Sequence, residues 1–371
     1  MKITDVEALY LRLPEIKART DSSQDALLIR ITTDAGIVGW GEVDGCPWVV
    51  KAIVDAPMSH TLVTGLRQIL IGEDPMEIAR LWEKMYRSTL YYGRDGAVIQ
   101  AMAGIDLALW DIKGKALRMP VWQVIGARFR DRLRVYASNM MQFTPEANAE
   151  RVRKAKGEGF TAAKFGWEPF GKDARTDCAF LDAMRRAAGD DFDLMLDVGL
   201  VWDATTTIQR ARLFEPYDLV WIEEPLPPDD LAGYREVSRH IVQRLAAGEE
   251  ECTLRGFARL IDEGGIRLAQ IDMTRCGLTQ ALKIADYAQQ RGIPVANHNF
   301  TTDINTAASL HFLAAVPNAL VLEYCVEPSE ISRALARNPL RLEDGCMHVP
   351  EDPGLGVEPD MAVVERFLVR G

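Results

Sequence analysis

Three acidic residues close three apolar stretches at a fixed interval: Asp197 in LMLDVG, Glu223 in VWIEEP and Glu249 in LAAGEE, each 26 residues after the last. That interval suits one strand and its returning helix, so the three side chains sit at equivalent heights on neighbouring parallel strands. Three carboxylates with no His or Cys among them make a hard oxygen donor set. Such a set favours Mg²⁺, or Mn²⁺, over zinc, with substrate oxygens and water completing the octahedron. Any one of these residues alone reads equally well as a helix cap or a surface ion-pair partner. The regular triplet argues for a metal. Glu224, Glu250 and Glu251 read instead as helix-start or solvated acids.

Four more residues of the same kind follow around the ring. Lys164 ends TAAKFG, Asp272 ends LAQID, His298 ends IPVANH and Glu323 falls in ALVLEY. On adjacent strands, Asp272 can hydrogen-bond one nitrogen of His298, fixing its tautomer and raising its basicity as an orienting carboxylate does for a general base. A solitary strand-end lysine is an ordinary surface charge. Next to a metal-bound carboxylate, Lys164 becomes a substrate clamp or an acid/base group. His60, His240, His311 and His348 have no such partner in the pattern and read as structural or surface residues.

The elements that must position these side chains are legible as a change of period. Residues 3 to 43 alternate apolar and polar, with a DAG turn at Asp34 to Gly36, and read as a three-stranded meander. From Pro75 the apolar spacing becomes three or four, and Val98, Met102, Ile105, Leu109 and Ile112 mark a long amphipathic helix. After about residue 130 short apolar runs alternate with helical stretches: LRVYAS, TAAKFG, LMLDVG, LVWIEE, LAAGE, LAQID, IPVANH and ALVLEY. Eight such runs predict an α/β fold with a parallel barrel, though periodicity alone leaves a doubly wound sheet open. In a barrel all the named residues fall on the face where barrel enzymes keep their chemistry. The tail, with Asp344-Gly345 and PGLG at 353 to 356, reads as a hairpin returning to the first domain.

Length and composition bound what this site can serve. A chain of 371 residues suits a barrel plus a covering domain. Forty-three Lys and Arg against 54 Asp and Glu give a net charge of −11, which repels phosphate backbones and argues against nucleic acid as a partner. Six scattered cysteines without CxxC pairs read as free thiols of a reducing cytoplasm. The first residues, MKITDVEALYLRL, lack the unbroken apolar core of a signal peptide, and no run reaches the length of a membrane span. The expectation is a cytoplasmic enzyme that is neither exported nor inserted.

With these residues in place, the chain resembles the enolase superfamily, and within it the mandelate racemase subgroup of the mandelate racemase/muconate lactonizing enzyme family. AMAGIDLALWDIKGKALRMPVWQVIGA at 101 to 127 is similar to that family's helix joining capping domain to barrel, and WIEEP, AGE, IDMTRCG, GIPVANH and PGLG follow in the family's order. The resemblance covers essentially the whole chain. It implies a (β/α)7β TIM-type barrel at 129–339, and an α+β capping domain at 1–128 completed by 340–371. It implies that Asp197, Glu223 and Glu249 bind Mg²⁺, that Asp272 and His298 form the acid/base dyad, and that Glu323 donates a hydrogen bond to an enediolate. The segments from Pro14 to Gln24 and from Asp44 to His60 are expected to close over the barrel and select the substrate. A homo-oligomer, dimer to octamer, is expected too.

Two departures shape the expected reaction. Racemase-like members carry KxK on the second strand where this chain has Lys164, Phe165, Gly166, so a two-base racemase is disfavoured. Gly199 stands where many members have an asparagine that touches substrate. A single acid/base suffices for elimination when both leaving groups lie on one face. The reading is therefore a Mg²⁺-dependent hydro-lyase: metal and Lys164 grip the carboxylate of an acid sugar and Glu323 bonds the opposite oxygen. His298, oriented by Asp272, takes the α-proton or protonates the departing β-hydroxyl, giving a 2-keto-3-deoxy acid. An epimerase, racemase or cycloisomerase with Lys164 as second base is the alternative. A catalytically silent sugar-acid binder is the third reading, and substrate selection also falls to Trp167 and Glu168.

Overall fold

The structure, a computed structural model, describes residues 1–370. β1 (Ile3–Arg12), β2 (Asp25–Thr33) and β3 (Val38–Val43) form the antiparallel meander that the alternation predicts. Three helices, α1 (Pro47–Asp55), α2 (Leu66–Leu70) and α3 (Ile78–Ser88), precede the long α4 (Ala97–Leu117). α4 lies against β3, and glycines let the two backbones meet: a Cβ at Gly41 would stand 2.0 Å from the Gly104 carbonyl oxygen.

Buried on nearly every face, α4 carries two acids that stitch the molecule together. Asp106 accepts from the Thr279 amide at 2.8 Å and its hydroxyl at 2.6 Å, while Asp111 accepts from the amides of Trp40 and Leu355, both at 2.9 Å. These are the partners that fully buried carboxylates demand.

All eight predicted runs form strands: β4 (Arg132–Met140), β5 (Ala162–Gly166), β6 (Asp193–Asp197), β7 (Leu219–Glu223), β8 (Arg244–Ala247), β9 (Leu268–Ile271), β10 (Val295–Asn297) and β11 (Leu322–Cys325). They pair in parallel, in sequence order, with β11 returning to β4. The last two strands are shorter than the runs suggest. A single bridge between Val295 and Ala319 and the Asn297 side chain hold this seam, the latter donating to the Glu323 carbonyl (3.3 Å) and accepting from its amide (2.7 Å). Helices between the strands begin at side-chain caps, among them Thr144, Asp173, Asp203, Asp230, Thr253 and Thr302.

Inside the barrel, Tyr136, Ala162, Met195, Trp221, Ala246, Leu268, Ala296 and Val321 form an apolar floor. The tail departs from the expected hairpin onto the first domain. β12 (Leu342–Glu343) and β13 (Cys346–His348) turn at Asp344-Gly345, but β13 pairs antiparallel with the barrel strand β4. The chain returns to the first domain only afterwards, where Gly354 bridges Pro120 and Leu368 bridges Leu11. All six cysteines are free, and no helix of the described residues is long and apolar enough to cross a membrane.

Candidate active site

Parallel strands project alternate side chains into the barrel, so one pleat above the floor residues 136, 162, 195, 221 and 321 stand Ser138, Lys164, Asp197, Glu223 and Glu323. The register places Lys164 opposite Met195, Gly166 opposite Asp197, and Asp197 opposite Glu223. Asp197, Glu223 and Glu249 converge as expected. All three are buried, and each offers a carboxylate oxygen within 4.8 Å of the others. Burial, reinforced by Glu223, drives the Asp197 carboxyl well above the usual carboxylate range, and burial with Glu323 and Glu249 raises Glu223 despite Lys164. A cluster of this kind, crowded with like charge and shut away from water, is what a bound cation relieves.

Lys164 is 3% exposed and ion-pairs with Glu223; its Nζ also lies 2.8 Å from Glu323 Oε1 and 3.9 Å from Asp197. Burial alone would lower this lysine, but Glu223 and Glu323 outweigh it and hold the ammonium well above its usual range. On the other side, His298 Nδ1 lies 2.6 Å from Asp272 Oδ2, and Nε2 is 3.5 Å from Glu249. Burial opposes protonation of the ring, yet Glu249 and Asp272 push it up to about 10. Asp272 is fixed in turn by the Thr274 amide (2.6 Å), the Thr274 hydroxyl (2.5 Å) and Asn305 Nδ2 (3.3 Å). Glu323 accepts from the Asn299 amide at 2.7 Å, and Lys164 and His298 overcome its burial to hold it below the usual range.

Of the seven predicted site residues, Lys164, Asp197, Glu249 and His298 line one small cavity of about 150 Å³ together with Arg275 and Trp167, while Glu223 and Glu323 stand behind it on Lys164 and Asp272 on His298. The two departures noted in the sequence have a steric basis. A Cβ at Gly166 would lie 2.5 Å from the Asp197 Cβ and 2.9 Å from its carbonyl oxygen, so no second lysine fits there. Gly199 adopts φ +67° with the Trp167 ring 2.8 Å from where its Cβ would be; the indole occupies the space of a side chain.

Several residues depart from their sequence reading. Glu224 is no solvated acid: at φ +39° it turns inward, is 2% exposed and accepts from the Gly248 amide at 3.1 Å. Glu250 is exposed, as expected. From the first domain, Thr20 and Ser22 reach the cavity, whereas of residues 44 to 60 only Asp44 approaches it, through Arg275 at 2.9 Å. Trp167 lines the cavity but Glu168 is exposed and pairs with Lys172. Of the four remaining histidines, His311 is buried and holds the Trp122 amide (3.3 Å) and the Leu355 carbonyl (3.1 Å), and the other three are exposed. Sequence reasoning passed over Arg275, Asn297 and Glu42. The first two lie inside quoted motifs, Arg275 in IDMTRCG and Asn297 in GIPVANH.

A closed eight-stranded barrel under an α+β cap, with carboxylates, a lysine and a His–Asp pair at its mouth, defines a class of barrel enzyme. The chain belongs to the enolase superfamily: residues 4–126 match the mandelate racemase/muconate lactonizing enzyme N-terminal domain, and residues 146–363 match the enolase C-terminal domain-like family. It is 31% identical to a D-xylonate dehydratase of Haloferax volcanii, over 100% of this chain and 90% of that protein. A D-galactarolactone cycloisomerase of Agrobacterium fabrum is 29% identical over 92% of this chain and 90% of its own. Among solved structures, the 3,6-anhydro-D-galactonate cycloisomerase from Zobellia galactanivorans superposes with a TM-score of 0.90 at 30% identity, each chain covered in full.

Proposed function

We propose that the protein is a hydro-lyase that dehydrates an acid sugar to a 2-keto-3-deoxy acid, with Asp197, Glu223 and Glu249 holding Mg²⁺ or Mn²⁺. The observation that carries this reading is the single acid/base pair, Asp272–His298, beside the carboxylate triad, with His298 Nε2 3.5 Å from Glu249 and Lys164 lining the same cavity. Three buried carboxylates whose oxygens lie within 4.8 Å of one another fit a hard divalent cation. When bound, the cation supplies Lewis-acid stabilisation of negative charge developing on the substrate carboxylate.

The chain's own groups supply the rest. Lys164, held as an ammonium by its carboxylate neighbours, grips a substrate carboxylate oxygen. Drawing Lys164 toward the substrate takes a cation from Glu323, whose burial then favours its protonated form, and the protonated acid can donate to the enediolate. With Asp272 holding Nδ1, His298 takes the α-proton at Nε2. It returns a proton to the departing β-hydroxyl on the same face, and the enol left behind tautomerises to the keto acid. His298 is lifted most by Glu249, and were that carboxylate neutralised by a bound cation the imidazole would fall back toward the range of a working base.

Epimerisation, racemisation or cycloisomerisation through Lys164 as a second base is the alternative, and the cycloisomerase relatives keep it open. Against it stands the charge on Lys164, which carboxylates hold protonated. The dehydratase relatives and the blocked position at Gly166 favour elimination. The reading includes a cytoplasmic homo-oligomer, supported by the six free thiols and by the family resemblance, and a division into 1–128 with 340–371 and 129–339. The test is a screen of purified protein with Mg²⁺ against mono- and dicarboxylic acid sugars for 2-keto product, with His298→Asn as control. A product lost in the control supports the proposal. Product from the control at the wild-type rate contradicts the role of His298; no product from any acid contradicts dehydration.

A further inference from the structure

We infer that the site selects a sugar acid with one carboxylate, an aldonate, and turns away the matching dicarboxylate. The inference rests on the reading above only for placing the substrate's reacting carboxylate at Lys164. The cations lining the cavity are Lys164, Arg275 and His298, and all cluster with the carboxylates at the reacting end. Each is already matched. Lys164 has Glu223 and Glu323; Arg275 has Asp44 at 2.9 Å and Glu250 at 3.5 Å, and donates to the Glu249 carbonyl at 2.9 Å; His298 has Asp272.

The remaining wall is neutral: the hydroxyls of Thr20 and Ser22, and the side chains of Met140, Trp167 and Phe300. Hydroxyls beside aromatic faces suit a polyhydroxylated chain, whose C–H faces stack and whose hydroxyls need partners. Thr20, Met140 and Trp167 also wall a second space of about 370 Å³ that holds Arg19. That guanidinium is spoken for. It ion-pairs with Asp21 and lies 3.6 Å from Glu327, and Glu327 is itself 3.2 Å from Arg151, so two guanidiniums face two carboxylates. Lys172, nearby in sequence, is paired with Glu168, which lines the same space. Among the described residues that line these two spaces, no cation lacks a carboxylate partner. A second substrate carboxylate would therefore meet no free counter-charge, beside the Glu168 carboxylate that lines the same space. Like-charge repulsion with no cation to offset it weakens such binding, and the site discriminates by that repulsion as much as by attraction.

The test is calorimetric binding to the full-length His298→Asn protein with Mg²⁺. Its ligands are a six-carbon aldonate, the aldarate of the same stereochemistry, and that aldarate's far-end monoamide. The aldonate and the monoamide are expected to bind about tenfold or more tightly than the aldarate. Equal or tighter aldarate binding overturns the inference, and a monoamide as weak as the aldarate overturns the role of charge. Thr20→Arg, which adds a free cation at the shared wall, is expected to narrow the ratio of aldonate to aldarate affinity about threefold or more. An unchanged gap overturns the placement of the far end. Binding needs no turnover: a preference for aldarate alongside keto product sinks this inference and leaves dehydration standing. The reverse pairing, aldonate preference without keto product, supports the inference and sinks dehydration, and binding of neither acid sinks both.

Discussion

The floor and the mouth of the barrel are built by the same strands, two residues apart, and are opposite in chemistry. At the floor, Tyr136 and Trp221 meet edge to face with ring centroids 5.4 Å apart among small and aliphatic side chains. At the mouth, those strands present Lys164, Asp197, Glu223 and Glu323, all buried. Burial stabilises the floor, because apolar area leaves water. Burial destabilises the mouth, because like charges are held together without solvent. The two layers touch where Trp221 Nε1 donates to Glu223 Oε2 at 2.7 Å. The floor thus fixes a carboxylate whose neighbours repel it, and the stability of one layer maintains the reactivity of the other.

Four changes break or sharpen that contrast. The largest effect falls on chemistry alone: His298→Asn is expected to lower turnover by roughly 10²–10⁴-fold, the range of a lost general acid/base, with the melting temperature nearly unchanged. Steady-state kinetics beside a thermal melt checks both halves. Trp221→Ala strikes the floor and is expected to cost about 3–5 kcal/mol in denaturant unfolding, since it empties a fully buried aromatic site. Asp197→Asn goes the other way. It relieves like-charge crowding, so without divalent cation the variant should melt a few degrees above wild type. Mg²⁺ should then raise the melting point of the wild type but not of the variant, and a chelator should reverse the wild-type gain.

The smallest effect concerns pH and lies outside the mouth. Glu42, on β3, is fully buried, accepts from the Thr302 hydroxyl (2.8 Å) and the Asn305 amide (3.1 Å), and burial pushes it up to about 8. A raised carboxyl binds more protons folded than unfolded between its ordinary value and about 8, so its share of stability is full below that window and is lost as pH rises through it. His311 has the opposite sign. Burial drops it to about 4, so its contribution is full above the ordinary histidine value and is lost as pH falls toward 4. The two oppose each other between the ordinary carboxyl and histidine values, so unfolding free energy should fall mainly as pH rises from the ordinary histidine value toward about 8, and Glu42→Gln should flatten that fall.

What the sequence disclosed follows the same division. The eight strands were legible because each is a short apolar run closed by a polar residue, and the first 26-residue gap marks Asp197 and Glu223 as register partners; the second does not, since Ala246 stands opposite Glu223 and Glu249 follows the end of β8. Those signals are local. The seam between β10 and β11 was not, because Asn297 side-chain bonds replace a ladder there. Arg275 with Asp44, and Glu42 with Thr302, join residues 231 and 260 positions apart, and no period in the chain encodes such pairs. Glu224 was misread because its position in a Glu-Glu pair before proline indicates a helix start, while the backbone turn that points it inward appears only in three dimensions. The hairpin at Asp344-Gly345 was recognised from its turn residues, but its partner, β4, was not.

The central claim is that one acid/base, His298 held by Asp272, acts on the α-carbon of a carboxylate gripped at the barrel mouth. Its most direct test is exchange of the α-proton in deuterated water, followed by NMR on wild type and His298→Asn with Mg²⁺ and an acid sugar that the wild type processes. The account predicts that the wild type carries solvent deuterium into recovered substrate or product and that the variant does not. Exchange by His298→Asn at the wild-type rate would contradict it.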